Sequence, residues 1–205
     1  MSMEAIPRVL HQIWLGPAVL PEREAGWCDR WRAFHPAWDV RLWQGEGPGV
    51  LGCAGEVFQT AFPAILSKIR RPEVQSEILR LELLLRYGGV YADCDCEPLK
   101  PIDELLNRSA FASVYWNASS VACCAFFGAT AGHPWISDCV AAIPSLDSSR
   151  RWVFGSSLLG RMRARRSDVD LLAREQVRHD RNPGGVHPET LVLHRFTTNG
   201  APAPA

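Results

Sequence analysis

The stretch GGVYADCDCEP, residues 88–98, places two aspartates one residue apart directly after a short apolar run. Before it lies EVQSEILRLELLLRY (73–87), in which Val74, Ile78, Leu81 and Leu85 recur at helical spacing. A helix is expected from Glu73 to Tyr87, ended by Gly88 and Gly89. Val90 to Asp93 then reads as a strand with the carboxylates at its C-terminal end. In an extended strand alternate side chains share a face, which puts Asp93 and Asp95 on one side, about 6–7 Å apart. Two like charges that close repel unless a cation or a proton separates them. A hard divalent cation, Mn2+ or Mg2+, completed by substrate phosphates and water, answers that need. Cys94 points the other way, into the core, and Cys96 follows it if the strand continues; packing is the ordinary role for both thiols.

Outward from this centre the pattern alternates. Arg8 to Gly16 reads as a buried strand ending in a Gly-Pro turn, and 22–34 as a helix carrying Trp27, Trp31 and Phe34, stopped by Pro36. DVRLWQ (39–44) alternates as a strand, and GEGPGVLG (45–52) is a turn-rich connection. Strands are expected at 110–115, 121–128 and 190–196, and helices at 133–143 and 155–178. The class is α/β, a Rossmann-like, mostly parallel sheet flanked by helices, forming one domain over 1–198 with a disordered tail at 199–205. In such sheets ligands bind beyond the carboxyl ends of the strands, the edge where Asp93 and Asp95 fall.

Composition narrows the class of protein. Of 205 residues 47% are hydrophobic and 21% charged, a globular profile, and zero formal net charge gives no polyanion-binding signature to the chain as a whole. Charge is uneven, though: nine arginines between Arg150 and Arg181 face Asp168, Asp170, Glu175 and Asp180. They are expected either on a solvated helix or against phosphates, those of an anionic membrane surface or, less readily, of a nucleic acid. Seven cysteines without a C-x-x-C pair form no disulfide framework and fit reduced thiols in the cytoplasm. The N-terminus lacks a signal-peptide pattern and no apolar run is long enough for an integral membrane segment.

Several residues could accompany the aspartates. Ser76, Glu77 and Arg80 lie within one turn, and Arg80 interrupts a leucine-rich segment, where arginine is costly unless paired with a carboxylate or phosphate. A local Glu77–Arg80 pair is the structural alternative. His11 and Trp14 fall on a buried strand, where either could be core. His133 precedes Pro134 as a helix-start residue. His194, closing the last strand, is the favoured third metal ligand, with His187 in the preceding loop as its substitute.

These residues carry a resemblance. SEILRLELLLRYGGVYADCDCEPLKPIDELL (76–106) is similar to the DXD-containing sugar-binding region of glycosyltransferase family 32. The family pattern has Ser-Asp, an Arg three residues on, Tyr-Gly-Gly-x-Tyr-x-Asp-x-Asp and Leu-x-Pro. IPRVLHQIWLGP, AFFGATAGHPWI and TLVLHRF resemble its first strand, its Gly-His-Pro segment and a late strand ending in His. The resemblance implies a glycosyltransferase-A fold, a nucleotide-diphosphate sugar donor such as a UDP- or GDP-sugar, and Mn2+ or Mg2+. It also implies retention at the anomeric carbon and a carbohydrate or glycoconjugate acceptor. Carried over by position, Asp95 and Asp93 bind the metal with His194, and Asp93 also holds donor hydroxyls. Trp14 stacks near the nucleobase, Arg80 contacts the donor sugar or phosphates, and Tyr91 lines the donor pocket with His11, Ser76 and Gly89. Asp93, Asp95, Arg80 and Glu77 form the expected catalytic set. This chain departs from the pattern with Glu77 in place of Asp, with Cys123-Cys124 where Asn is common, and in lacking a Ser-Trp pair after His194.

Two other readings of D-x-D remain. An aspartyl-nucleophile phosphohydrolase wants its pair near the chain start, followed by Thr or Val, whereas Glu97-Pro98 follows here mid-chain. A non-catalytic nucleotide-sugar-binding protein would keep the fold without turnover.

Overall fold

Apolar alternation and a leucine-rich helix build a layered α/β structure, seen in a computed structural model that describes residues 5–15, 19–47, 49–115, 118–148, 153–181 and 185–196. Its helices are α1 (Glu22–Phe34), α2 (Pro63–Leu66), α3 (Pro72–Tyr87), α4 (Pro134–Ala142) and α5 (Ser156–Arg163). The first strands are β1 (Val9–Trp14), β2 (Asp39–Gly47), β3 (Val50–Cys53), β4 (Glu56–Gln59), β5 (Gly89–Ala92) and β6 (Cys96–Pro98). The rest are β7 (Ala110–Tyr115), β8 (Ala118–Ala129), β9 (Asp170–Leu171), β10 (Val177–His179) and β11 (Val192–His194).

The main sheet runs β4-β3-β2-β1-β5-β8-β7-β9, and a second sheet runs β10-β11-β6. One face of the main sheet carries α3, α4 and α5, packed through Leu81, Leu84, Trp135 and Leu158. The other carries Trp31 of α1 together with β6, β10 and β11. The small sheet therefore sits beside the C-terminal ends of β1 and β5, which run parallel. That placement puts the last strand of the chain next to the aspartate pair.

The structure bears out the α/β class, the helix over 22–34 and the helix before Gly88. It differs in four respects. The sheet is mixed: β2, β1 and β5 are parallel, as are β7 and β9, but β8 runs antiparallel between β5 and β7. The segment 45–52 is no bare connection, because β2 continues to Gly47 and pairs with β3, which pairs with β4. The helix expected over 155–178 stops at Arg163. Val169 and Leu172 beyond it are buried and β9 pairs with Phe111 and Ala112, so burial of apolar side chains at the sheet edge overrides helical continuation. Asp168 and Asp170 accordingly lie outside any helix. Lastly, the strand before the aspartates ends at Ala92. The expected disordered tail, Arg150 and Arg151 lie outside the described residues.

Of the remaining arginines of 150–181, Arg166 is bound to Asp138 and Asp168, and Arg163 donates to Val169 O. No helix among the described residues is long and apolar enough to cross a membrane.

Gly88 and Gly89 are required by backbone, with φ of +64° and +97°. A Cβ on Gly89 would lie 2.4 Å from Val9 O, so β5 can approach β1 only without a side chain there. Gly89→Ala is expected to lower stability by about 2 kcal/mol or more, through the left-handed backbone and the clash. A fall in the urea midpoint with unchanged slope would show it.

Candidate active site

The aspartates occupy a turn, not a strand. Asp93 N–H donates to Ala125 O (2.8 Å), and Cys96 N–H donates back to Asp93 O (2.9 Å). The reversal sends β6 into the second sheet, where Cys96 lies opposite His194. Arg195 N–H donates to Asp95 O (3.0 Å), and His194 Nε2 stands 3.3 Å from Asp95 Oδ1. The two carboxylates are thus held by different partners rather than set co-facially by a strand. Cys94 and Cys96 are both buried, as expected, but in different clusters, Cys94 beside Cys28 and Leu20 and Cys96 beside Cys123.

Arg80 holds Asp93. Its Nη1 lies 3.1 Å from Asp93 Oδ1 and donates to Cys124 O (2.6 Å). Nε donates to Ser76 O and Nη2 to Ser76 Oγ. The guanidinium also sits over the Tyr91 ring, 4.4 Å from its centroid, while Tyr91 OH donates to Asp93 Oδ1 (2.8 Å). Arg80 is 4% exposed and bonded to protein partners, yet it lines the cleft, and in this arrangement it positions Asp93. Its ion pair is with Asp93, not the local pair with Glu77.

Electrostatics follow from this enclosure. Burial raises the Asp93 pKa, Arg80 opposes it and Asp95 adds to it, leaving the carboxyl above its usual range. Burial works to lower His194, but the Asp95 charge and hydrogen bond outweigh it, so the imidazole is held above its ordinary value. Glu77 is pushed up to about 7, mainly by burial, with Arg80 opposing. One oxygen of Glu77 and the Trp14 indole N–H lack a hydrogen-bond partner among the described residues.

These groups line one cleft of about 900 Å³, with Trp14, Glu77 and Tyr91 on its wall beside Asp93, Asp95 and His194. Ser76 lines it too, its hydroxyl donating to Glu73 O. Three expectations fail on position. His11 is fully buried, close to Gly88 O through Nε2 (3.0 Å) and accepting from Trp43 Nε1 at Nδ1 (3.0 Å), so its ring is a core connector and not a donor contact. Gly89 serves the β1–β5 approach and does not face the cleft. His187 is exposed in a loop, bonded to its own neighbours, and does not substitute for His194. His133 caps α4 as expected, accepting from Trp135 N–H. Sequence reasoning missed Cys124 O and Phe196 as parts of this region and had Arg181 only within the arginine-rich stretch. Nothing in the sequence marks a carbonyl as a clamp, whereas Arg181 and Phe196 each follow a histidine-ended strand that pairing alone brings here.

The donors suit a hard divalent cation at Asp95: its carboxylate and the His194 imidazole nitrogen are buried and 3.3 Å apart, and Asp93 lines the same cleft. Asp95, Cys96 and His194 each offer a ligand atom, all within 4.8 Å of one another.

Residues 21–112 match the model of the glycosyltransferase sugar-binding region containing DXD motif. Two curated relatives come from Schizosaccharomyces pombe. Inositol phosphoceramide mannosyltransferase 1 is 33% identical over 113 residues, 54% of this chain and 34% of the relative. Inositol phosphoceramide mannosyltransferase 3 is 27% identical over 143 residues, 68% of this chain and 38% of the relative. The chain thus spans little more than a third of either. Among solved structures, the PaToxG glycosyltransferase superposes with a TM-score of 0.61 at 14% identity, covering 79% of this chain and 70% of that one, which supports the glycosyltransferase-type fold. The resemblance read from the motifs is borne out by the match over residues 21–112, which includes the DXD segment.

The Glu77 carboxyl stays protonated in the folded chain after an unfolded one has ionised, so its contribution to stability is full below about 4.5 and is lost as pH rises to about 7. In metal-free protein Glu77→Gln is expected to flatten that part of the stability–pH curve, by about 3 kcal/mol. Urea midpoints of both forms between these pH limits measure it.

Proposed function

We propose that this chain, which carries a DXD sugar-binding region of the family 32 type, transfers a hexosyl group from a nucleotide-diphosphate sugar to a hydroxyl acceptor. Mn2+ or Mg2+ would be held by Asp95, Asp93 and His194. The observation that carries the reading is the meeting of Asp95 and His194 at the floor of a cleft whose wall presents unpartnered polar atoms.

The cation, when bound, neutralises the diphosphate that leaves as the glycosidic bond breaks. The protein's own groups bind and orient. The Trp14 indole N–H is available to an acceptor atom of the nucleotide, and its ring to stacking. The Glu77 carboxyl, close to half protonated at neutral pH, can accept from or donate to a sugar hydroxyl. Asp93, fixed by Arg80 and by the Tyr91 hydroxyl, presents its remaining acceptor capacity to donor hydroxyls without having to reorganise. Arg181, at the cleft and 4.4 Å over the Phe196 ring, is placed to face phosphate. No side chain is assigned as nucleophile; retention at the anomeric carbon is proposed on the family pattern. The relatives' names make a mannose-carrying nucleotide sugar the first donor to test and inositol phosphoceramide the first acceptor.

The test is calorimetric binding of UDP- and GDP-sugars with and without Mn2+, with donor hydrolysis followed in parallel. Metal-dependent binding and slow hydrolysis are expected, both weakened at least about a hundredfold in Asp95→Asn. Metal-independent binding without turnover would replace this reading with a non-catalytic sugar-nucleotide binder.

A further inference from the structure

Beside the carboxylates a softer set of donors converges. Across the small sheet His179 pairs with His194, and His194 with Cys96, so these three side chains form a row on one face. Cys123 reaches this row from β8. Its Sγ and one ring nitrogen from each of His179 and His194 lie within 4.8 Å of one another, and all three residues are buried.

The rings meet through their Nδ1 atoms, 3.1 Å apart. Their outer nitrogens have other partners: His179 Nε2 lies 3.1 Å from Val114 O, and His194 Nε2 lies 3.3 Å from Asp95 Oδ1. Phe196 lies against both rings, with centroids 4.1 Å from His194 and 5.2 Å from His179.

We propose that Cys123 Sγ, His179 Nδ1 and His194 Nδ1 form a second cation site, suited to zinc, with one coordination position left to water or a ligand. Three features of the geometry carry it. Zinc with tetrahedral angles needs its nitrogens roughly 3.3 Å apart and nitrogen to sulfur roughly 3.6 Å, so the 3.1 Å pair and the 4.8 Å limit ask for shifts of about an ångström or less. One thiolate and two imidazoles select zinc over the oxygen-preferring ions expected at Asp95. The outer shell is also that of a metal site: each histidine's second nitrogen faces a carbonyl or a carboxylate, which fixes its tautomer and orients the ring. Binding displaces the Cys123 thiol proton and the proton shared between the Nδ1 atoms, both released to water, with no electron transferred.

A consequence, which rests on the proposed hard-cation site, follows for His194. With zinc on Nδ1, Nε2 keeps its proton for Asp95 and has no lone pair to offer a second cation. Zinc would therefore oppose Mn2+ or Mg2+ at the DXD turn.

Cobalt serves as the spectroscopic stand-in. Titrating reduced, metal-free protein with Co2+ is expected to give tetrahedral absorption with a thiolate charge-transfer band at one ion per chain, displaced by Zn2+. Cys123→Ser is expected to lose that band, and His179→Gln to weaken Zn2+ binding by at least about tenfold, while Cys139→Ser, changed at a buried thiol of α4, keeps both. Near-UV circular dichroism establishes that each variant is folded, and Cys123→Ala replaces Cys123→Ser if the latter is not. A cobalt spectrum without a thiolate band, or unchanged zinc affinity in the Cys123 and His179 variants, overturns the site. Mn2+ electron paramagnetic resonance then reads the consequence: zinc should free bound Mn2+ in the wild type and not in Cys123→Ser. Absence of any bound Mn2+ before zinc is added counts against the hard-cation site, whereas the cobalt result decides the zinc site independently.

Discussion

The ion pair between Arg80 and Asp93 is the constraint around which the site is arranged. A guanidinium in the middle of a leucine-rich helix is expensive to desolvate, and it persists here because every direction it faces is answered. Ser76 answers from the same helix, Cys124 O from β8 and Asp93 from the end of β5, with the Tyr91 ring beneath. A buried pair of this kind is weak evidence of stability, since well-packed apolar residues often do as well. What it provides is position. α3, the end of β5 and the more distant β8 converge on one planar cation, so Asp93 is fixed before any ligand arrives.

The turn after Asp93 separates what a strand would have crowded. An extended chain would have placed both carboxylates on one face, with their repulsion relieved only by an added cation. Instead each has its own counter-charge, Arg80 for Asp93 and His194 for Asp95. The reversal is held from the far side by Glu97, which receives Arg30 of α1 and Arg195 beyond β11. Those ion pairs tie the turn to the helix layer and to the last strand together. His194 can meet Asp95 because Glu97, two residues on, is gripped from both directions.

Much of this was legible in the sequence where one local signal sufficed. The periodic leucines and the Gly88-Gly89 pair mark α3 and its end, and Arg80 among leucines announces a buried partner. His194 stood out as the end of an apolar strand. Pairing partners carry no such local mark. Whether residues after Ala92 extend or turn depends on β11 accepting Cys96, and the helix beyond Arg163 yields to an edge-strand place for Val169 and Leu172 that periodicity cannot register. His11 misled for a related reason: a histidine on a buried strand looks available until Trp43 and Gly88, on two other elements, are seen to bond it.

The charge balance of the cleft is set by its own side chains before any ligand binds. Arg80 stands against Asp93, and His194, its pKa held above the ordinary value by the Asp95 charge, stands against Asp95, while burial pushes Glu77 up to about 7. On the proposed reading, a dication at Asp95 would need the His194 nitrogen unprotonated and would favour the ionised form of Glu77, so its binding would release protons and tighten as pH rises. The substitution of Glu for Asp at position 77 then has a physical reading. The longer carboxylate lies so close to Gly155 that a Cβ there would stand 2.6 Å from its oxygen, and that enclosure is part of the burial that pushes its pKa up to about 7.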